Sequence, residues 1–147
     1  GLENLSSAIK KILPKFKNVV FIIAGQPFDY SENFLNELFN VDECFKNRLR
    51  LIFEYIPEDM LPYYFGAADC LLLPYASNYK GSTGPLMKAA CTYNLPVIVC
   101  DVANMGNLTK EHNLGKVVEA GNENESAADQ PSGQVAEVCV DGVFRTG

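Results

Sequence analysis

A short run of small and hydroxyl residues, Gly81-Ser82-Thr83-Gly84, has the composition of a phosphate-binding loop. It follows an apolar segment and precedes a segment suited to a helix, so its backbone N–H groups would lie at the amino end of that helix. Free N–H groups and the helix dipole favour a phosphate at such a position. Ser and Thr are also the usual N-cap residues, and from these residues alone a helix cap without a ligand is the favoured interpretation. Lys80 could add a point charge to a phosphate site, although a solvated loop lysine explains it better.

The segments around this run predict one strand–loop–helix–strand unit. Cys70–Leu73 is apolar, too short for a helix and followed by Pro74, which indicates a buried strand. Residues 84–93 are predicted to form a helix, and Val97–Cys100 a second buried strand. Parallel strands need a crossover of about this length. The loop would therefore lie at the carboxyl end of a strand, where open α/β sheets bind ligands.

The rest of the chain repeats this alternation of strands and helices. Helices are predicted over residues 2–13, 31–39, 58–68 and 102–108, and strands over residues 19–24, 49–55 and 115–118. Such alternation gives a parallel sheet covered by helices on both faces. Residues 122–133 are polar and rich in small side chains, which predicts a linker or loop, and residues 135–144 carry a weak hairpin signal around Asp141-Gly142.

Composition and charge limit the classes of function. The chain has 147 residues, 48% hydrophobic, as expected for one globular domain. A net charge of −6 argues against nucleic acid as a partner, because neutralising a phosphate backbone requires a basic face. A single nucleotide-sugar held by one loop is not excluded.

The five cysteines predict a reduced protein rather than a disulfide framework or a zinc site. They are odd in number, widely spaced and mostly within apolar runs. No apolar run approaches the ~20 residues that span a bilayer, and residues 2–17 are amphipathic, unlike the core of a signal peptide. A cytoplasmic location is therefore predicted.

The order of motifs resembles the donor-binding half of retaining glycosyltransferases of the GT-B fold, most of all the family 4 group that uses nucleotide-sugars. The motifs are LLLPY, then GSTGPL, then LPVIVCDV and finally NLGKVVEAGN, and the likeness extends back to the segment that opens with GLENL. The resemblance implies an α/β chain with a Rossmann-like three-layer α/β/α arrangement and a parallel sheet, one half of a GT-B fold. It assigns residues 1–122 to a sugar-nucleotide-binding domain that lacks its first strand, and leaves residues 123–147 as an atypical tail.

The resemblance also implies a ligand and the residues that contact it. The complete enzyme would transfer a sugar from a nucleotide-sugar to an acceptor hydroxyl with retention, without a metal or another cofactor. The residues implied to bind the donor and its phosphates are Gly81, Ser82, Thr83, Gly84, Pro85, Leu86, Tyr75, Gly25 and Gln26. Tyr75 follows a strand end and could line a cleft, but a half-buried loop tyrosine explains it equally well. No catalytic residue is identified.

Two departures from the family pattern bear on catalysis. The family often has two glutamates eight residues apart across the Gly-rich turn, the second contacting the donor ribose. Here the first place falls on Gly81 and the second on Ala89, or on Lys88 if one extra residue is allowed. Alanine cannot accept a hydrogen bond from ribose. The family's diphosphate-binding Arg and Lys, and its acceptor-binding domain, would precede Gly1. We therefore expect that domain as a partner, with any membrane contact in it, and no sugar transfer by this chain alone.

The remaining polar residues have simpler explanations. His112 is the only histidine, which argues against a metal site or a Ser-His-Asp triad and predicts an exposed turn residue. Glu58 and Asp59 are better explained as the acidic start of a helix than as an acid–base pair. Three hypotheses follow: a glycosyltransferase donor domain, a catalytically degenerate Rossmann-like domain that serves binding or assembly, and an unrelated Rossmann-like binding module.

Overall fold

The computed structural model describes residues 1–27, 30–81 and 84–121, together with the backbone of residues 136–141. Its helices are α1 (Leu2–Ile12), α2 (Glu32–Leu38), α3 (Leu61–Ala67), α4 (Gly84–Met87) and α5 (Met105–Glu111), with a 3₁₀ segment at Glu43–Arg48 and a π-helical turn at Lys88–Thr92. Its strands are β1 (Val19–Ala24), β2 (Leu49–Ile52), β3 (Cys70–Leu73), β4 (Val97–Cys100), β5 (Gly115–Val118) and β6 (Ala136–Asp141).

The strands form a single six-stranded sheet in the order β2-β1-β6-β3-β4-β5, and every neighbouring pair is parallel. The predicted Rossmann-like α/β/α class is therefore confirmed. If β6 is counted as the first strand, the order becomes 3-2-1-4-5-6, which is the order of doubly wound dinucleotide-binding sheets. The last described strand thus fills a central position of the sheet, between β1 and β3.

The hairpin predicted at residues 135–144 is wrong over the part that the structure describes. Val19 to Ala24 of β1 pair with Ala136 to Asp141 on one side of β6. On the other side, Cys70 to Leu72 of β3 pair with Val138 to Val140. With both edges of β6 occupied by neighbours, no antiparallel hairpin partner can pair with it.

Most other elements lie where the sequence predicted them, but four boundaries move by three residues, one of them the end of α5, which lies at Glu111 instead of residue 108. The second strand ends at Ile52, where the Ile52 carbonyl accepts the N–H of Gly25 at 3.0 Å. Helix α3 begins at Leu61 instead of residue 58, which places Pro62 in its first turn, where the missing N–H of proline costs nothing. Helix α5 begins at Met105 because Ala103 has a positive φ of 49°, which an α-helix cannot include.

The core lies between the sheet and the helices that cover it. All four residues of β3 and of β4 are buried, as expected for central strands covered on both faces. Helix α1 adds a buried stripe formed by Leu5, Ala8, Ile9 and Ile12. Within the part of the chain that the structure describes, no helix is both long and apolar enough to cross a membrane.

Arg48 fixes the carboxyl end of α1 against the start of β2. Its guanidinium donates hydrogen bonds of 2.6 Å to the carbonyl oxygens of Leu13 and Phe16 and a longer one, 3.4 Å, to that of Val19. The last carbonyls of a helix have no partner within the helix, and a cation beside them also complements the helix dipole. This contact therefore holds α1, whose other end reaches the candidate site, in place on the sheet.

Candidate functional site at the carboxyl edge of the sheet

A cavity of about 420 Å³ opens at the carboxyl ends of β1 and β3. Its lining includes the end of β1 with the residues that follow, the loop after β3 and the amino end of α1. Leu35 of α2 and three aromatic side chains from outside the helices and strands complete it. The two strands lie on either side of β6, at the centre of the strand order. A doubly wound sheet forms its ligand crevice at this position, because the connections on the two sides leave in opposite directions.

The β1 side of the cavity depends on glycine. Gly25 has a φ of 140°, in the region that residues with a side chain rarely adopt. Its N–H still continues the hydrogen bonding of the sheet to Ile52. The chain can therefore turn sharply at the end of β1 and bring Gln26 and Pro27 to the rim of the cavity.

The β3 side is a wall of stacked aromatic rings. Tyr75 and Tyr79 stack with their ring centroids 3.9 Å apart and their planes 7° from parallel. Both side chains are half-buried and both line the cavity. The Tyr79 N–H also donates to the carbonyl of Ala76 at 2.9 Å, which folds the loop into a turn and brings the two rings together.

The amino end of α1 approaches the same loop closely. Gly1, the N-cap position of α1, lies so near Pro74 that a Cβ on it would stand 1.6 Å from the Pro74 carbonyl oxygen. Gly1 and Leu2 both line the cavity. A helix of eleven residues thus directs its amino end, the positive end of its dipole, toward this site.

The described residues that line the cavity include no charged side chain. Polar groups come from the amides of Gln26 and Asn78 and from the hydroxyls of three tyrosines, of which Tyr30 is the third. The remaining lining is apolar and includes Phe39 and Phe53. Such a surface favours an uncharged, partly aromatic ligand group with a few oriented polar atoms.

The predicted site residues are only partly brought together. Tyr75, Gly25 and Gln26 line the cavity. Gly81 and Gly84 are exposed, whereas Pro85 and Leu86 are buried in the first turn of α4, Leu86 with 0% exposure. Pro85 and Leu86 therefore position α4 by packing in the core. The other two residues predicted to bind the donor, Ser82 and Thr83, lie outside the described residues.

Neither position predicted for the ribose-binding glutamate offers a carboxylate. Ala89 has 0% exposure and packs in the core. Lys88 forms an ion pair of 3.1 Å with Glu58 of the loop before α3. Lys88 and Ala89 belong to the π-helical turn that continues α4. Turns of this kind are often found at functional sites.

Several lining residues were not predicted from the sequence. Tyr79, Asn78 and Tyr30 have no motif of their own, and Phe39 and Phe53 look like ordinary core residues. The only available signal was the high tyrosine content of the loop after β3, where Tyr75 and Tyr79 are separated by three residues.

The other candidate residues do not form a second centre. His112 is exposed at the end of α5, as predicted. Among the described residues, no group of three His, Cys, Asp or Glu side chains could hold a metal ion.

Four of the five cysteines have side chains that the structure describes, and these four fall into two groups. Cys70 and Cys100 are buried, and burial raises the pKa of both thiols, that of Cys70 to about 12. Cys44 and Cys91 are exposed, so the prediction that the cysteines are mostly core residues is wrong for these two.

Comparisons with known proteins add nothing to the geometry of the site. No protein-family model, no curated protein and no solved structure matches this chain. The fold class therefore depends on the strand order and parallel pairing seen in the structure, and any function must be argued from the cavity and the motifs that surround it.

Proposed function

We propose that this chain binds a nucleotide-sugar, in the manner of the donor-binding half of a retaining glycosyltransferase of the GT-B type. The observation that carries the proposal is the cavity at the carboxyl ends of β1 and β3, on the two sides of the central strand β6. Doubly wound sheets bind nucleotides at this position. At about 420 Å³, the cavity is also within the ~300–1,000 Å³ range of small-molecule sites.

The surroundings of the cavity suit the diphosphate of such a ligand. The amino end of α1 lies at the cavity and favours negative charge through its free N–H groups and its dipole. Gly81 and Gly84 are exposed and belong to the loop predicted to bind phosphate, and Lys80 beside them is exposed as well. In this proposal the phosphates lie at the edge of the cavity, in contact with solvent, with the amino end of α1 in the cavity lining and residues 80, 81 and 84 beyond the rim.

The chemistry would then be divided between two domains. This domain would hold the nucleoside diphosphate and stabilise the charge that develops on it as the sugar leaves, because preorganised N–H groups and cations act most strongly on developing charge. The acceptor hydroxyl, supplied by a second domain, would attack the same face of the sugar. No residue of this chain is assigned as a nucleophile or a general base.

One observation favours a second candidate function, a degenerate domain that has kept the fold for binding or assembly. Ala89 is fully buried and Lys88 is paired with Glu58, so neither position predicted for the ribose carboxylate can supply one. A degenerate domain of this kind would have lost nucleotide-sugar binding together with that contact.

A thermal-shift screen of nucleotide-sugars and their nucleoside diphosphates separates the two candidates. A ligand present at 100 times its dissociation constant adds about 2.7 kcal/mol to the free energy of unfolding, which raises the melting temperature by about 5–10 °C for a chain of this size. We expect a shift with at least one nucleotide-sugar and none with the free sugar. If no nucleotide-sugar raises the melting temperature at millimolar concentration, the first proposal is wrong and the degenerate domain stands.

A further inference from the structure

We infer that the cavity holds the base of the nucleotide, stacked on the Tyr75–Tyr79 pair, and that the base contributes more to affinity than the phosphates do. This inference rests on the proposed function, since it assigns a part of the nucleotide-sugar to a part of the same site. It differs from the sequence-based expectation, which centred recognition on phosphate at residues 81–84.

The charge of the cavity is the first argument. The described lining residues have no charged side chain, and the wall is largely aromatic and aliphatic. A diphosphate moved into the interior of such a surface, away from the amino end of α1, would lose its hydration without gaining a cation in return, which is strongly unfavourable. A nucleobase is neutral and planar, and its faces lose little hydration free energy when they leave water. The interior of the cavity therefore suits the base, and the phosphates belong outside it.

The geometry of the two tyrosines is the second argument. Their rings are almost parallel, with planes 7° apart and centroids separated by 3.9 Å, so the pair forms a flat, stiff platform at the wall of the cavity. Base–aromatic stacking is worth about 1–3 kcal/mol per base, and it needs only a ring face that the base can approach. Preorganisation matters here, because a platform that is already stacked need not be ordered when the ligand binds.

The polar groups of the cavity are the third argument. Gln26 follows β1 and Asn78 lies in the loop after β3, so the two amides approach from different strands. Each side-chain amide carries both a donor and an acceptor, which is the combination that pairs with the edge of a base. Both side chains are exposed, so they can turn toward a ligand without breaking core contacts.

Three probes test the inference on the 147-residue chain: a nucleoside, the corresponding nucleoside diphosphate and inorganic pyrophosphate. Dissociation constants are measured by calorimetry, and the site is mapped by amide shifts. We expect the nucleoside to bind within about tenfold of the diphosphate, pyrophosphate alone to bind at least about tenfold more weakly than the nucleoside, and the largest shifts at Tyr75, Asn78 and Tyr79. The tenfold scale corresponds to about 1.4 kcal/mol.

Substitutions identify the platform directly. Tyr79→Leu should weaken nucleoside binding about tenfold, whereas Tyr79→Phe, which keeps the ring, should leave it within twofold. Tyr63→Leu is the matched control, because Tyr63 lies on α3 with 71% exposure and does not line the cavity. If Tyr79→Leu does not fold, the wild-type amide shifts and the Tyr79→Phe affinity still decide the question.

The outcomes separate this inference from the proposed function. If the nucleotide-sugar binds but the nucleoside does not, or if pyrophosphate binds as well as the diphosphate, the base-stacking inference is wrong while the proposed function stands. If the nucleoside binds at Tyr79 but no nucleotide-sugar binds, the inference stands and the proposed function is wrong. If none of these compounds binds, both are wrong.

Discussion

Replacing Arg48 by alanine should destabilise the fold more than replacing any other charged residue near the start of β2. The side chain makes two short hydrogen bonds, 2.6 Å each, to the carbonyl oxygens of Leu13 and Phe16. It also lies over the Phe45 ring, with its guanidinium carbon 5.2 Å from the ring centroid. A hydrogen bond to a charged group contributes about 1.5–3 kcal/mol when desolvated.

Arg48 is only partly buried, so water can replace part of the hydrogen bonding that the two carbonyl oxygens lose. We therefore take the lower end of the range, about 1.5 kcal/mol, for each short bond. The third bond, at 3.4 Å, adds little. The cation–π contact adds about 0.5 kcal/mol at a partly exposed site. We therefore expect the free energy of unfolding to fall by about 3.5 kcal/mol, which lowers the melting temperature by about 7–14 °C for a domain of this length.

Urea unfolding followed by circular dichroism measures the change. The midpoint should fall by about 1–2 M with an unchanged slope, because the folded state loses contacts without a change in the area exposed on unfolding. Arg50→Ala is the matched control, since Arg50 lies two residues further along β2 and is exposed. Arg48→Lys should give an intermediate loss, because a lysine cannot bond two divergent carbonyls with a planar fork. Equal losses for Arg48→Ala and Arg50→Ala would refute the reasoning.

Two further predictions can be checked on the same protein. Gly115→Ala should lower the free energy of unfolding by about 2 kcal/mol or more, since a Cβ there would stand 1.9 Å from the Val97 carbonyl oxygen. In the control Gly66→Ala, where nothing lies within 4 Å, the free energy should stay the same or rise by up to about 1 kcal/mol. Urea unfolding measures both, and a loss of similar size in the two variants would contradict the prediction. Exposed Cys91 should be alkylated at pH 8 long before Cys70. The Cys70 thiol is buried and its pKa is raised to about 12, so the reactive thiolate is scarce. Peptide mass spectrometry measures the order of modification, and alkylation of Cys70 in the folded protein at a rate similar to that of Cys91 would show that burial does not control cysteine reactivity.

Much of the fold could be predicted from the sequence because local patterns decide it. The apolar runs of β1, β3 and β4 are continuous and bounded by Gly or Pro, so their strand identity needs no tertiary information. Ser31 stands at the start of the predicted helix over residues 31–39 and is of a residue type usual at N-caps, and its hydroxyl accepts the N–H of Phe34 at 3.2 Å. Boundaries set by tertiary bonds or by an unusual φ, such as the end of β2 and the start of α5, were not predictable in this way.

The candidate site was less predictable because it is assembled from distant segments. Tyr75 was singled out by its position after a strand and Gly25 only through the family resemblance, and both line the cavity. The partner of Tyr75 could not be found from the sequence, because the stacking of Tyr79 on it depends on the turn of the intervening loop. The absence of charged side chains among the described lining residues likewise becomes apparent only when α1, β1 and the loop after β3 come together.

The central position of β6 has a consequence for how the chain folds. Val19, near one end of the sequence, pairs with Ala136, near the other, and this pairing lies in the middle of the sheet. Loop closure over so many residues must occur before the central contacts form, and folding rates fall as such non-local contacts become more important. During synthesis, β1 and β3 would remain without their shared neighbour until β6 has emerged as well. Formation of the sheet is therefore a late, cooperative event, and the exposed edges of β1 and β3 are the surfaces most open to mispairing until then.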